Sequence, residues 1–169
     1  MMTNQRVKVE KTVTINKPAE ELYRFWRNFE NLPRFIKHLK EVKVYDDKKT
    51  HWIAEGLLDR NLEWDAVIVE DRENEVISWA SVESAEIQNS GVVQFKPAPG
   101  NRGTEVKVVR EYNPPGGVIG NALAKPLVDI AKLFGEDPKH NLTEDLRHFK
   151  MLMEAGEIAT TEGQPRGKG

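Results

Sequence analysis

Between Val7 and Ile15 the chain alternates, with Val7, Val9, Val13 and Ile15 on one side and Lys8, Glu10, Thr12 and Thr14 on the other. Lys11 is an exception on the apolar side. A period of two predicts a half-buried strand. At Asn16-Lys17-Pro18-Ala19-Glu20-Glu21 the period changes. Pro18 suits the opening of a helix, and acids in the first turn complement its dipole. Leu22, Phe25, Trp26 and Phe29 would be its buried face, and Asn31 to Ile36 predicts a second short helix with Pro33 in its first turn. Val42 and Val44 begin another strand. From there to Tyr112 turn-forming residues divide the chain into segments 50–57, 62–70, 75–82, 85–96 and 103–113. The dividers are Asp46 to Lys49, Asp59-Arg60-Asn61, Asp71 to Asn74, and Pro97 to Arg102. Links this short imply antiparallel neighbours.

The last apolar stripe has helical spacing. Ile119, Leu123, Leu127, Ile130 and Phe134 share one face, and Leu142, Leu146, Phe149 and Met153 continue it after a break. A single helix over this span would be roughly 54 Å long at about 1.5 Å per residue, longer than a domain of this size is wide. Gly135-Glu136-Asp137-Pro138 supplies the stop: glycine for a C-terminal cap, aspartate for the next N-cap, proline for the first helical position. A sheet and an amphipathic helix each have an apolar face to bury, so they must pack on each other. The expected class is α+β: a curved antiparallel sheet of about six to seven strands around a long, broken C-terminal helix, with two short helices after strand one. Residues 1–156 are expected to form a single domain. Residues 157–169, EIATTEGQPRGKG, have little to bury and are expected to be a flexible tail.

Composition narrows the function classes. A chain of 169 residues suits one domain with a real core, and its net charge of −2 lacks the basic excess of a nucleic-acid binder. It has no cysteine, which excludes disulfides, thiolate metal ligands and a cysteine nucleophile. The opening MMTNQRVKVEKTVTINK has no apolar run of the signal-peptide kind, and no stretch has the 18 successive apolar residues of a membrane span. A cytoplasmic address is the expectation. His38, His51, His140 and His148 do not show metal-binding spacing, so neither metal nor cofactor is expected.

Several stretches resemble a known family. Lys17-Pro18-Ala19-Glu20-Glu21-Leu22-Tyr23-Arg24-Phe25-Trp26 is similar to its entry into helix one, and Phe29-Glu30-Asn31-Leu32-Pro33-Arg34-Phe35 to its second helix. Trp64, Ile77 with Trp79, Asn89 with Gly91, Phe95, Gly103-Thr104-Glu105-Val106 and the GEIATTEGQP tail add to the likeness. Together they resemble the START-related helix-grip superfamily (SRPBCC type), and within it the bacterial polyketide cyclase/dehydrase family, related to coenzyme Q-binding chaperones. The resemblance implies a hydrophobic cavity between sheet and C-terminal helix, able to take a sterol, polyketide, quinone or acyl chain. It carries no fixed catalytic motif, and fold alone does not give function.

The residues leave three functional readings open. In the first, the protein carries a hydrophobic small molecule against Trp52, Trp64, Trp79 and Phe95 from the sheet and Leu127, Ile130 and Phe134 from the helix. A cavity above about 300 Å³ would suit it. In the second, Glu63 and Asp65, two apart on one strand and so about 7 Å from each other, do acid/base work of a cyclase or dehydratase kind. Alternation instead favours their being the water side of a strand whose inner side is Leu62, Trp64 and Ala66. In the third, side chains fill the space and the protein is an interaction module. Arg34, Lys37, His38, Lys40 and Lys43, with Phe35, Ile36 and Leu39 between them, could touch an anionic membrane transiently, but a solvated face is the plainer expectation. The oligomeric state is open.

Overall fold

Seven strands form one antiparallel sheet in the computed structural model, which describes residues 7–55, 61–85, 88–113 and 138–156. They are β1 (Val7–Ile15), β2 (Leu39–Val44), β3 (Lys49–Glu55), β4 (Asn61–Arg72), β5 (Val76–Ser81), β6 (Gln88–Pro97) and β7 (Thr104–Asn113). Their spatial order is β1-β7-β6-β5-β4-β3-β2. From β2 to β7 every neighbour in space is a neighbour in sequence, as short turn-rich links dictate. Only β1 is brought to the sheet by a distant partner, pairing with β7 from Val7 opposite Tyr112 to Ile15 opposite Thr104.

Between β1 and β2 lie helix α1 (Ala19–Arg27) and a 3-10 helix over Phe29–Arg34. Pro18 stands at the N-cap of α1 rather than inside it. The second predicted helix is the 3-10 turn, with Pro33 inside and the Asn31 side-chain amide donating to the Phe25 carbonyl at 3.0 Å. The second piece of the C-terminal stripe is helix α2 (Pro138–Ala155), which starts on the predicted proline. It ends at Gly156, whose positive φ of 82° and N–H to the Leu152 carbonyl at 2.9 Å close the last turn. The first piece, with Leu127, Ile130 and Phe134, lies outside the described residues, as does the 157–169 tail.

Sheet, α1 and α2 meet in an aromatic core. Leu142, Leu146 and Phe149 of α2 are buried. The Phe149 ring lies 5.1 Å from Trp26 and 4.8 Å from Phe35. Trp26, near the end of α1, also reaches the sheet, 6.2 Å from Trp79. Burial of several such rings, at about 25 cal/mol per Å² of apolar surface, is the main force holding the helices on the sheet. Polar contacts fix their positions. Lys150 Nζ donates to the Thr14 carbonyl at 2.7 Å, and Glu154 Oε2 accepts from the Asn16 N–H at 2.8 Å, tying the end of α2 to the end of β1.

One irregularity re-aims a side chain. The β4–β5 register slips between Ile68 and Glu70, so Val69 is the extra residue of a bulge and stands 65 % exposed. The slip reverses inside and outside for the rest of β4 and turns Asp71 toward α1. There it accepts from the Tyr23 hydroxyl and from Arg27 Nε at 2.8 Å. Burial first, and then the bond to Asp71, push the Tyr23 phenol up to about 12.

Candidate functional site

The inner face of the sheet carries a wall of indoles. Trp52 and Trp64 are directly opposed on β3 and β4, and their rings stack at 5.8 Å with 25° between planes. Trp52 and Trp79 lie 6.2 Å apart at 27°. The rings come together because all three positions share the inner parity of neighbouring strands, with Ile68 opposite Trp79 keeping that parity up to the bulge. Gly91, opposite Trp79 on β6, lets the indole cross the strand: a Cβ there would collide with the ring. Phe29 meets Trp52 and Trp79 edge-on, at 6.0 and 5.7 Å.

A cavity opens against this wall. Trp26, Trp52, Trp64 and Trp79 line it with Ile36 and Leu39. Its polar lining is His38, Asn89, Ser90, Arg110, Asn141 and Asp145. The space measures about 70 Å³, below the roughly 300 Å³ at which small-molecule pockets begin. The space that the described residues leave against the indoles is therefore small, and the wider opening, about 570 Å³, is the groove beside Phe95.

The polar groups around this space are unequally satisfied. The Trp52 N–H donates to Thr50 Oγ1 at 2.8 Å. Trp26 Nε1 and Trp64 Nε1 are buried and meet no acceptor, and His38 Nδ1 is buried without a partner as well. A buried donor left unpaired costs about 1–3 kcal/mol, and such groups are rare enough to call for a cause. At the helical side Arg110 Nη2 donates to Asp145 Oδ2 at 2.9 Å, and the other Asp145 oxygen accepts from the Lys37 N–H at 3.3 Å. The aspartate is 7 % exposed and the arginine 18 %. One carboxylate thus joins α2, β7 and the approach to β2.

The other expected site residues fall elsewhere. Phe95 is buried on the inner face, but Tyr23 covers it edge-on at 6.2 Å, and it stands away from the indole cavity. It borders a separate groove with Lys96, Gln94 and Thr12. Glu63 and Asp65 are on the outer face of β4, with side chains 50 % and 31 % exposed. They cannot act as acid and base on a molecule held between sheet and helix, because strand alternation points Trp64 inward and them outward. Both instead hold His51, with Asp65 Oδ1 2.7 Å from Nδ1 and Glu63 Oε1 2.8 Å from Nε2. These two bonds, Asp65's the larger, raise the His51 pKa above its ordinary value.

The basic run at 34–43 spends much of itself internally. Arg34 lies over the Phe25 ring at 5.3 Å, Lys40 Nζ donates to Asn61 Oδ1 at 3.2 Å, and His38 turns to the cavity. Arg110 and Asp145 are absent from the sequence-based candidates, though a signal for each exists. Val106, Val108, Arg110 and Tyr112 share one parity, and Asp145 falls within the Leu142, Leu146, Phe149 stripe. Among the described residues no helix is long and apolar enough to cross a membrane, and no set of three or more His, Asp or Glu side chains is placed to hold a metal ion.

Comparison with solved structures finds the same architecture. The crystal structure of DR_A0006 from Deinococcus radiodurans is 37 % identical, covers 89 % of this chain and 99 % of its own, and superposes with a TM-score of 0.69. TTHA0849 from Thermus thermophilus is 22 % identical over 88 % of this chain and all of its own (100 %), with a TM-score of 0.61. The Zhui aromatase/cyclase from Streptomyces sp. R1128 is 14 % identical over 92 % of this chain and 100 % of its own, at 0.65. At these lower identities the last two show the fold, which is the helix-grip α+β arrangement. No protein of curated function matches the sequence significantly. Residues 15–147 match the family profile described as polyketide cyclase/dehydrase and lipid transport. With that match over most of its length and a 37 % identical structural relative, the chain belongs to the polyketide cyclase/dehydrase and lipid transport family.

Proposed function

We propose that the protein binds a flat, largely apolar small molecule bearing oxygen acceptors, held against the Trp52, Trp64 and Trp79 wall. The observation that carries this reading is the pair of buried indole N–H groups, Trp26 and Trp64, without acceptors beside a common cavity. An apolar chain alone would fill the space and leave both donors unpaired. A carbonyl or ether oxygen that reached them as side chains shift to admit the ligand would satisfy them and recover about 1 kcal/mol or more at each. The family description, which joins polyketide chemistry with lipid transport, supports a ligand of this kind.

The cavity of about 70 Å³ gives a second reading its footing: a clasp filled by its own side chains, whose function lies on its surface. On the first reading a ligand of more than one ring must displace side chains as it enters. Catalysis of the cyclase kind has lost Glu63 and Asp65 as its acid and base, and binding without chemistry is the simpler account of the groups that remain.

Native mass spectrometry of the full chain purified from cells separates the two. A co-purifying mass of a few hundred daltons, lost on mutation of Trp64→Phe, supports binding. A bare polypeptide mass, together with no uptake of 1,4-naphthoquinone by the purified protein, supports the filled clasp and overturns binding.

A further inference from the structure

His38 occupies a place that a solvated basic residue would not. It follows the 3-10 turn at the start of β2, and its carbonyl accepts from the Glu55 N–H at 2.9 Å, so the strand ladder fixes its position. The side chain is 22 % exposed, and His38 lines the indole cavity together with Ile36 and Leu39. Its Nδ1 is buried with no hydrogen-bond partner. A carboxylate oxygen, Glu55 Oε1, lies 3.8 Å from this same nitrogen, too far to hydrogen-bond.

The three unpaired groups of the cavity differ in kind. An indole N–H can only donate, whereas an imidazole nitrogen donates or accepts according to its tautomer. Trp26 and Trp64 therefore call for an acceptor, while His38 Nδ1 can serve either a carbonyl or a hydroxyl. A hydroxyl-bearing molecule could accept from an indole and donate to His38 through the same oxygen.

We propose that His38 is a positioning residue of the cavity, its Nδ1 turning from Glu55 to hydrogen-bond an oxygen of the bound molecule as that molecule enters. This rests on the binding reading given above and adds to it the residue that discriminates oxygenated ligands from plain hydrocarbons.

The test uses a matched pair of probes, 1-naphthol and naphthalene, which differ by one hydroxyl. Calorimetric titration of wild type, His38→Leu and His38→Gln gives the affinities. His38→Leu should bind 1-naphthol about tenfold more weakly, the loss of one hydrogen bond, and naphthalene within about twofold of wild type. His38→Gln, which keeps a hydrogen-bonding group at similar reach, should recover most of the loss. In wild type the ¹⁵N signal of His38 Nδ1 should move with 1-naphthol and stay with naphthalene, a readout that does not depend on any variant folding. Equal losses for both probes would make the role of His38 structural and overturn the proposal, as would a silent Nδ1 signal while 1-naphthol binds. If 1-naphthol does not bind wild type at all, the cavity reading itself fails and takes this role with it.

Discussion

The Trp79 indole covers Gly91, its directly opposed neighbour on β6, and occupies the space where any side chain at that position would begin. The wall depends on this pairing, because Trp79 stands between Trp26 above and Trp52 beside it. Gly91→Ala should therefore destabilise the fold by about 1–3 kcal/mol, the usual range for overpacking a core. The same change should weaken uptake of any aromatic ligand. Urea denaturation gives the first quantity and tryptophan quenching the second; an unaltered denaturation midpoint would mean the indole can move aside freely.

His51 gives the clearest dependence on pH. Each ring nitrogen faces a carboxylate, Asp65 at 2.7 Å and Glu63 at 2.8 Å, and only the doubly protonated ring can donate to both. Lys49, 3.8 Å from the far oxygen of Asp65, and Lys43, opposite His51 on β2, also face the cluster from their own strands. The folded-state pKa is raised, by the bond to Asp65 first and that to Glu63 second, so folding favours the charged ring. The stabilisation is complete below the unfolded value of about 6.5 and is lost as pH rises through the higher folded value. Denaturation midpoints followed upward from about pH 6 should fall for wild type and stay flatter for His51→Gln. Parallel curves would show that the clamp contributes nothing.

Arg110 and Asp145 form a mostly buried pair whose members should not be removed singly. Asp145→Ala leaves the arginine uncompensated and the Lys37 N–H without its acceptor, at a cost of about 3–5 kcal/mol. The double change Arg110→Met with Asp145→Leu should regain much of that, since a buried pair is often replaceable by apolar residues of similar volume. A double-mutant cycle in guanidinium measures the difference. Additive effects would place the pair in water and outside the site.

Much of this arrangement is legible before any coordinates. Turn residues punctuate the seven strands, Pro138 marks the start of α2, and period-two parity brings Trp52, Trp64 and Trp79 to one face. Parity also holds the signal for Arg110, and helical spacing that for Asp145, once a charged residue in an apolar series is taken as a candidate rather than an exception. Other features depend on geometry that a pattern does not encode. The bulge at Val69 adds one residue to a strand whose composition continues unbroken, so the inward turn of Asp71 is invisible in the alternation. Whether Trp52 finds Thr50 while Trp26 and Trp64 find nothing is set by a few ångströms of side-chain placement. His38 reads as one of a basic run because Lys37 and Lys40 lie close to it in sequence, and its place at the cavity shows only in the structure, where its carbonyl accepts from the Glu55 N–H. The size of the space is likewise a three-dimensional outcome, set by how the four indoles and the side chains around them meet.

The central claim, that a ligand oxygen completes the unpaired indole donors, is tested most directly by the indole N–H resonances of ¹⁵N-labelled protein titrated with 1,4-naphthoquinone. The Trp26 and Trp64 signals should move downfield as each donor gains an acceptor, while that of Trp52, already bonded to Thr50, moves far less. Signals of Trp26 and Trp64 that stay in place at saturation, or that move no more than Trp52, would contradict it.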